Sequence, residues 1–295
     1  MDIEDLRQFL VIAQVNNLQL AALEVNKTPG ALSKVIKRLE VKLATQLFDR
    51  SGRNIILNQR GERFRQYALH IVHESDQVFS EFGSLENKIK VSISGPSVLV
   101  QFWLPQLVKQ FSRDKYDINL HIDWEGQALN QVENGLMHIA LATKFAALER
   151  SSNSELASVI LGKTSYQVVA AQQHPLFNSY PDGKLTSQQL QQFTFACPSV
   201  SPFCGIKRGV GSDGWQDGKV KRVIGFRCND FSVLISLVKE GQALAYVPDY
   251  IAMQHGLKLV EVIDYHEVNK EDIALYYKPS MAAGWLSQLI SAITR

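Results

Sequence analysis

Ser33, Lys34, Lys37 and Arg38 lie close together with helical spacing. Lys34 and Arg38 are four apart, and so are Ser33 and Lys37, so two neighbouring pairs share one side of a helix. Hydroxyls and cations on one side of a helix are what contact with phosphate oxygens and base edges in a DNA groove requires. A charged helix side is ordinarily only a solvated face, so the surrounding elements have to decide. Leu32, Val35, Ile36, Leu39 and Leu43 form an apolar stripe at three-and-four spacing. Thr28 stands where it caps the first-turn N–H groups, and Pro29 fits the first helical position, where a missing N–H costs nothing. Thr28–Asp49 therefore opens with a short helix that has an apolar back and a cationic front.

Two helices precede it. Ile3–Val15 places Ile3, Leu6, Phe9, Leu10 and Ala13 on one face. Leu18–Val25 comes next, with the small pair Ala21–Ala22 allowing another helix to approach closely. Two short helices joined by a tight connection, the second with a basic front, make a helix-turn-helix pattern. After Phe48, a Ser–Gly turn and the strand Ile55–Leu57 fit a two-stranded wing, with Asn58 as a cap for the next helix. Arg50 and Arg53 near its tip are candidates for phosphate or minor-groove contact, although Arg50 could instead pair with Asp49 or a carboxylate from the helical bundle. Glu62–Glu86 is one long helix. Phe64, Ile71, Val78 and Leu85 repeat at seven residues, and Ala68, Ser75 and Phe82 repeat at the same interval. That period predicts a dimerisation helix rather than one lying on its own domain.

The charge distribution agrees. The formal net charge is only +2, but Lys27–Arg65 holds ten Lys/Arg against three Asp/Glu. A basic block in a nearly neutral chain suggests one polyanion-binding module. The 45% hydrophobic and 20% charged content is that of a soluble globular chain long enough for two or three domains. Cys197, Cys204 and Cys228 are odd in number and lack zinc-site spacing, so neither a disulfide framework nor a metal is expected. The acidic N-terminus lacks a signal-peptide pattern and no apolar run is long enough to span a membrane. The expected location is the cytoplasm, with no membrane partner.

From Lys88 strands and helices alternate. Ile89–Ile93, Asn119–Trp124 and His138–Ala142 are strands, separated by helices at Ser97–Phe111 and Gly126–Asn134. Crossovers of this length imply a parallel sheet covered by helices. Separate strands at Ala157–Leu161 and Val168–Ala171, with further strands and helices to Ile293, continue the pattern. Hinge candidates are Gly162–Tyr166 and Ile263–Glu267. In such α/β units ligands collect where strands end and helix N-termini point inward. That selects Ser97, Thr143, Asn229 and Asp230 as effector-site candidates, each of which could be only a helix cap. There is no phosphate-binding glycine loop, no His-Glu-x-x-His motif and no nucleophile elbow, so an enzyme is not expected. A small-molecule-binding module without DNA function is the stronger rival; it would show no salt-sensitive DNA affinity.

These residues together resemble the LysR-type transcriptional regulators over essentially the full length. DIEDLRQFLVIAQ is similar to the family's opening. NLQLAALEVNKTPGALSKVIKRLEVKLATQLFDR carries its signature of Ala–Ala, Ala–Leu–Ser, Arg–Leu–Glu and Leu–Phe–acidic–Arg. LNQRGERF and LISLVKEGQALAYVPDYIA resemble its linker start and its later helix, turn and strand. Three departures stand out. Pro29–Gly30 replaces the common Gln–Pro, Ala44 replaces a usual glycine, and His138 stands where an aspartate or another polar residue is common. The resemblance implies an α/β protein with an N-terminal winged helix-turn-helix (1–61) and a linker helix (62–87). A two-lobed, periplasmic-binding-protein-like effector domain would fill 88–295, lobe 1 being 88–162 and 266–295 and lobe 2 being 163–265. It also implies a homodimer or homotetramer on a pseudo-palindromic duplex and control by a small-molecule effector in the interlobe cleft. Ser201, Phe203 and Cys204, in a loop that the family resemblance places near this cleft between lobes, are weaker effector-site candidates. RNA polymerase would be a further partner if the protein activates.

Overall fold

The computed structural model describes residues 2–51, 54–82, 88–110, 115–148, 155–203, 213–265, 270–282 and 284–294, with only the backbone described at 50, 51, 54, 77 and 80–82. Three helices open the chain: α1 (Ile3–Val15), α2 (Leu18–Glu24) and α3 (Pro29–Leu43). Each starts on a polar cap. The side chains of Asp2, Asn17 and Thr28 accept first-turn N–H groups, and a cap of this kind contributes about 1 kcal/mol. The wing strands β1 (Phe48–Ser51) and β2 (Asn54–Leu57) pair antiparallel. Arg53 lies outside the described residues, as does the side chain of Arg50.

The helix α3 ends where Ala44 adopts a left-handed conformation, φ +50°. This is the position of the usual family glycine. An alanine there is strained by roughly 1–2 kcal/mol, and the chain still makes the bend.

The linker helix α4 (Gln59–Phe82) begins three residues before the expected Glu62. Asn58 starts it, its side chain accepting the Gly61 N–H at 2.9 Å. Its expected dimer seam needs correction. Phe64 and Ala68 are 9% and 0% exposed, packed into the core that α1, α3 and the wing build around Phe9. The Phe9 and Phe64 rings meet edge-on at 4.9 Å. Ile71 packs partly against the same core and Ser75 is half-buried. Of the predicted seam only Val78 has an exposed side chain, at 54%; the side chain of Phe82 and all of Leu85 lie outside the described residues. The physical reason is that Leu6 and Phe9 of α1 need an apolar cover, and the first half of α4 supplies it. Among the described residues of α4, the large apolar side chains that are exposed are Tyr67, Val78 and Phe79. Tyr67 and Val78 are eleven residues apart, three helical turns, and so share a face.

Beyond the linker come β3 (Ile89–Gly95), α5 (Ser97–Val108), β4 (Tyr116–Ile122), α6 (Glu125–Glu133), β5 (Ile139–Thr143), α7 (Lys144–Leu148) and β6 (Ala157–Ala170). Next are α8 (Leu176–Ser179), β7 (Lys184–Leu185), α9 (Ser187–Leu190), β8 (Thr194–Pro198), β9 (Val223–Cys228), α10 (Phe231–Lys239) and β10 (Ala245–Pro248). The chain closes with α11 (Asp249–His255), β11 (Lys258–Val262), β12 (Lys270–Tyr277), a 3-10 turn at Pro279–Met281 and α12 (Gly284–Thr294). Strand order is β4-β3-β5-β12-β6-β11-β7, with β10 also on β6, while β8 and β9 pair separately.

The sheet is mixed rather than parallel. β3 runs parallel to β4 and β5, but β12 is antiparallel to both β5 and β6. The two expected strands at 157–161 and 168–171 are one continuous strand, β6, which serves both lobes. Its residues 157–165 pair with β12, and its residues 166–170 pair with β10 and β11. A register shift in the β12 pairing falls beside Gly162. A Cβ there would sit 2.6 Å from the Trp103 ring of α5, so the strand passes the helix only because residue 162 is glycine. Among the described residues no helix is long and apolar enough to cross a membrane.

Candidate DNA interface and effector cleft

The inner face of α3 is fixed by packing: Leu32, Val35, Ile36 and Leu39 are 0–6% exposed. Its outer face holds Lys34 and Lys37, both exposed and without an ion pair among the described residues, with Ser33 half-buried between the faces. Thr28 keeps its cap role, Oγ1 accepting the Ala31 N–H at 3.2 Å. Gly30 has nothing within 4 Å of where a Cβ would stand.

Arg38 is placed differently from its predicted partners on the front. Its Nε donates to Asp5 at 2.8 Å and its Nη2 to the other carboxylate oxygen, so the guanidinium ties α3 to α1. The Asp5 side chain is only 6% exposed and that of Arg38 is 49%. The hydrogen bond from Arg38 holds the Asp5 carboxyl below the usual carboxylate range. Glu40 is structural too, its Oε1 accepting the Leu47 N–H at 2.7 Å at the entry to the wing. The Arg–Leu–Glu of the signature therefore builds the fold around the interface, and the lysines are the groups it leaves facing outward.

The effector candidates divide in the same way. Thr143 ends β5 and is 1% exposed; its N–H donates to Glu125 Oε1 at 2.6 Å and its Oγ1 accepts the Ala146 N–H at 3.3 Å. Phe203 is 6% exposed, packs on Tyr166 and offers its carbonyl to the Glu125 N–H at 3.1 Å. Ser201 Oγ accepts the Phe203 N–H at 3.3 Å. Asp230 caps α10, accepting the Ser232 and Val233 N–H groups at 2.7 and 3.2 Å. Asn229 beside it is exposed, and Ser97 opens α5 half-buried. Cys204 lies outside the described residues.

The structure thus brings Thr143 and Phe203 together through a residue that sequence reasoning missed. Glu125 is 1% exposed, and it bridges the lobe that contains β5 and the loop that contains Phe203. A carboxylate this buried raises nearby phenols. Burial first, and then Glu125, push Tyr276 up to about 12 and Tyr250 well above the usual tyrosine range. The Tyr250 hydroxyl is buried with no hydrogen-bond partner among the described residues. Glu125 follows β4, so the strand-end rule that picked Ser97 and Thr143 also applied to it; starting α6 at Gly126 hid it.

Two cavities flank the crossing strand. One of about 510 Å³ is lined by Lys144, Lys163, Thr164, Asp249, Lys270 and Glu271, among others. The other, of about 350 Å³, is lined by Tyr166, Gln167, Trp215, Tyr246, Glu261 and Tyr265, among others. None of the effector candidates among the described residues lines either. Beneath Trp215, Arg222 is fixed by Asp213 at 2.6 Å and lies over the Trp215 ring at 5.5 Å. The Cys197 thiol beside it is pushed up to about 11, first by burial and then by Asp213, which makes it a poor nucleophile.

Residues 3–62 match the family described as bacterial regulatory helix-turn-helix protein, lysR family, and residues 86–293 match the LysR substrate binding domain. The chain belongs to the LysR family. Among its relatives the HTH-type transcriptional regulator DgdR of Burkholderia cepacia is 35% identical over 112 residues, 38% of each chain. The chain spans half or less of the first curated LysR relatives it matches, at 38%, 49% and 50% of their lengths. The LysR fold extends over the whole length. ArgP from Mycobacterium tuberculosis superposes with a TM-score of 0.63 at 15% identity, covering 100% of this chain and 97% of that one. CbnR complexed with its target DNA superposes at 0.55 and 15% identity, with 99% of both chains covered.

Proposed function

We propose that this LysR-family protein is a sequence-specific transcriptional regulator whose outward α3 lysines enter the major groove. A homodimer would place two such helices on a pseudo-palindromic duplex, and a small molecule in the interlobe cleft would control the outcome. The observation that carries the reading is the division of α3. Its apolar face is consumed by the core and Arg38 by Asp5, which leaves Lys34 and Lys37 projecting with no ion pair among the described residues. That is the arrangement that positions a helix on phosphate while leaving base edges within reach.

Dimerisation is supported by apolar residues left outward: Tyr67, Val78 and Phe79 on α4, and Leu120, Ile122 and Trp124 on and just after the edge strand β4. Effector control is supported by Glu125, a buried acid joining strand end and loop where the two lobes meet. If the protein activates, RNA polymerase is the further partner. Immunoprecipitating the protein with its bound DNA tests the reading. It predicts two half-sites about one helical turn apart, near 10 base pairs. Recovery of DNA with no common site would refute sequence-specific regulation.

A further inference from the structure

The buried strand β5 ends at two different kinds of joint. At its C-terminal end Thr143 donates its N–H to Glu125, at the meeting point of the lobes. Just before its N-terminal end stands His138, which touches the linker helix: His138 Nε2 and His73 Nδ1 are 2.9 Å apart. Between these joints all five residues are 0–1% exposed, held by β3 on one side and β12 on the other. Five strand residues span about 17 Å. A close-packed segment of that kind shifts as a unit rather than deforming.

The hydrogen bonds fix the protons. His138 Nδ1 accepts the Ser92 N–H at 2.9 Å, so the neutral ring carries its proton on Nε2 and donates it to His73 Nδ1. His73 then keeps its own proton on Nε2 and bonds the Met281 backbone. Trp285 of α12 packs edge-on against His138 at 5.6 Å. Helix α4 is thereby tied to β5 and to the 3-10 turn through one buried side chain, His73, which is 7% exposed.

We propose that β5 and the His138–His73 bond couple the cleft end at Glu125 to the linker helix, so that a change at the cleft resets α4 and the DNA-binding helices it carries. This rests on the reading that the cleft takes an effector, and it adds the route by which occupancy reaches the DNA-binding unit. The joint works only while both rings are neutral. Burial lowers both histidines, His138 to about 3. Among the described residues, the other titrating and charged groups around His73 include Glu74, Asp76 and His70 on its own helix, with Arg7 of α1 bonded to Asp76. Glu155 and Lys278 line a small cavity beside His70 and Met281. Protonating His73 would turn its Nδ1 into a donor facing the Nε2–H of His138, and the bond would be lost.

A double-mutant cycle on the full chain tests the route, read by backbone hydrogen exchange in α4 between His70 and Asp76. Glu125→Ala should speed exchange there by roughly two- to thirtyfold with the histidine pair intact. In the His73→Phe background it should add nothing. Unchanged exchange in Glu125→Ala, or the same acceleration in both backgrounds, would overturn the proposal. Imidazole nitrogen NMR of the wild-type chain provides a check that needs no variant. At neutral pH His138 must be protonated on Nε2 and not on Nδ1, and the reverse assignment would also overturn it. The cycle uses no effector, so its failure leaves the cleft reading standing, and a failed ligand search leaves the cycle informative.

Discussion

The helices α3 and α4 are both amphipathic, and their sequences announce a buried face equally clearly. They differ in what covers that face. The stripe of α3 is buried by its immediate neighbours, α1 and α2, from Leu32 to Leu39, so local spacing places those four residues correctly, while Leu43 at the end of the expected stripe is exposed. The stripe of α4 is divided. Phe64 and Ala68 go to the DNA-binding core, His73 goes to the effector domain, and Val78 and Phe79 remain outward. Periodicity establishes that a face is buried; it does not say by which partner.

The largest expected effect tests that division. Phe64→Ala removes a ring packed on Phe9 and should cost about 3–5 kcal/mol of stability, seen as a lower urea midpoint independent of protein concentration. Val78→Ala should leave that midpoint within about 0.5 kcal/mol and weaken association instead. If Phe64→Ala changed only the concentration dependence, the seven-residue dimer seam would be restored.

The same contrast explains how much was legible. The three helices, the wing and the Thr28 cap follow from neighbours in sequence, and so did the outward positions of Lys34 and Lys37. Arg38 was not legible as a structural residue, because its partner Asp5 lies thirty-three residues away. Glu125 stood where the strand-end rule applies, at the start of α6, but its bonds to Thr143 and Phe203 come from other elements and were not legible. The single strand β6 was read as two because a glycine and polar residues at its centre look like a break. It continues because β12 pairs along one part and β10 and β11 along the next.

A smaller effect concerns the end of α3. Ala44→Gly should stabilise the DNA-binding unit by about 1 kcal/mol, because glycine occupies φ +50° without a Cβ clash. Thermal denaturation would show it, and an unchanged melting point would mean that the wing, rather than this residue, sets the bend.

The smallest effect is a pH dependence. The Asp5 carboxyl is held below its unfolded value by Arg38, so the pair's stabilisation is fully present above about pH 4, the unfolded aspartate range, and is lost as pH falls through the folded value. Wild type and Arg38→Ala should therefore differ in melting temperature at pH 7, and the gap should shrink progressively as pH falls below the unfolded aspartate range. A gap that did not change with pH would assign the loss to packing by the arginine stem.

The contrast between the two helices matters most at the outer face of α3. The most direct test is the affinity of the full chain for its footprinted duplex, measured against salt for wild type and for Lys34→Ala/Lys37→Ala. Each lysine that neutralises a phosphate adds about 0.9 to the slope of log affinity against log salt, so the double variant should lose close to 2 per protomer while folding unchanged. An unaltered slope would contradict the assignment of the DNA-facing surface to α3.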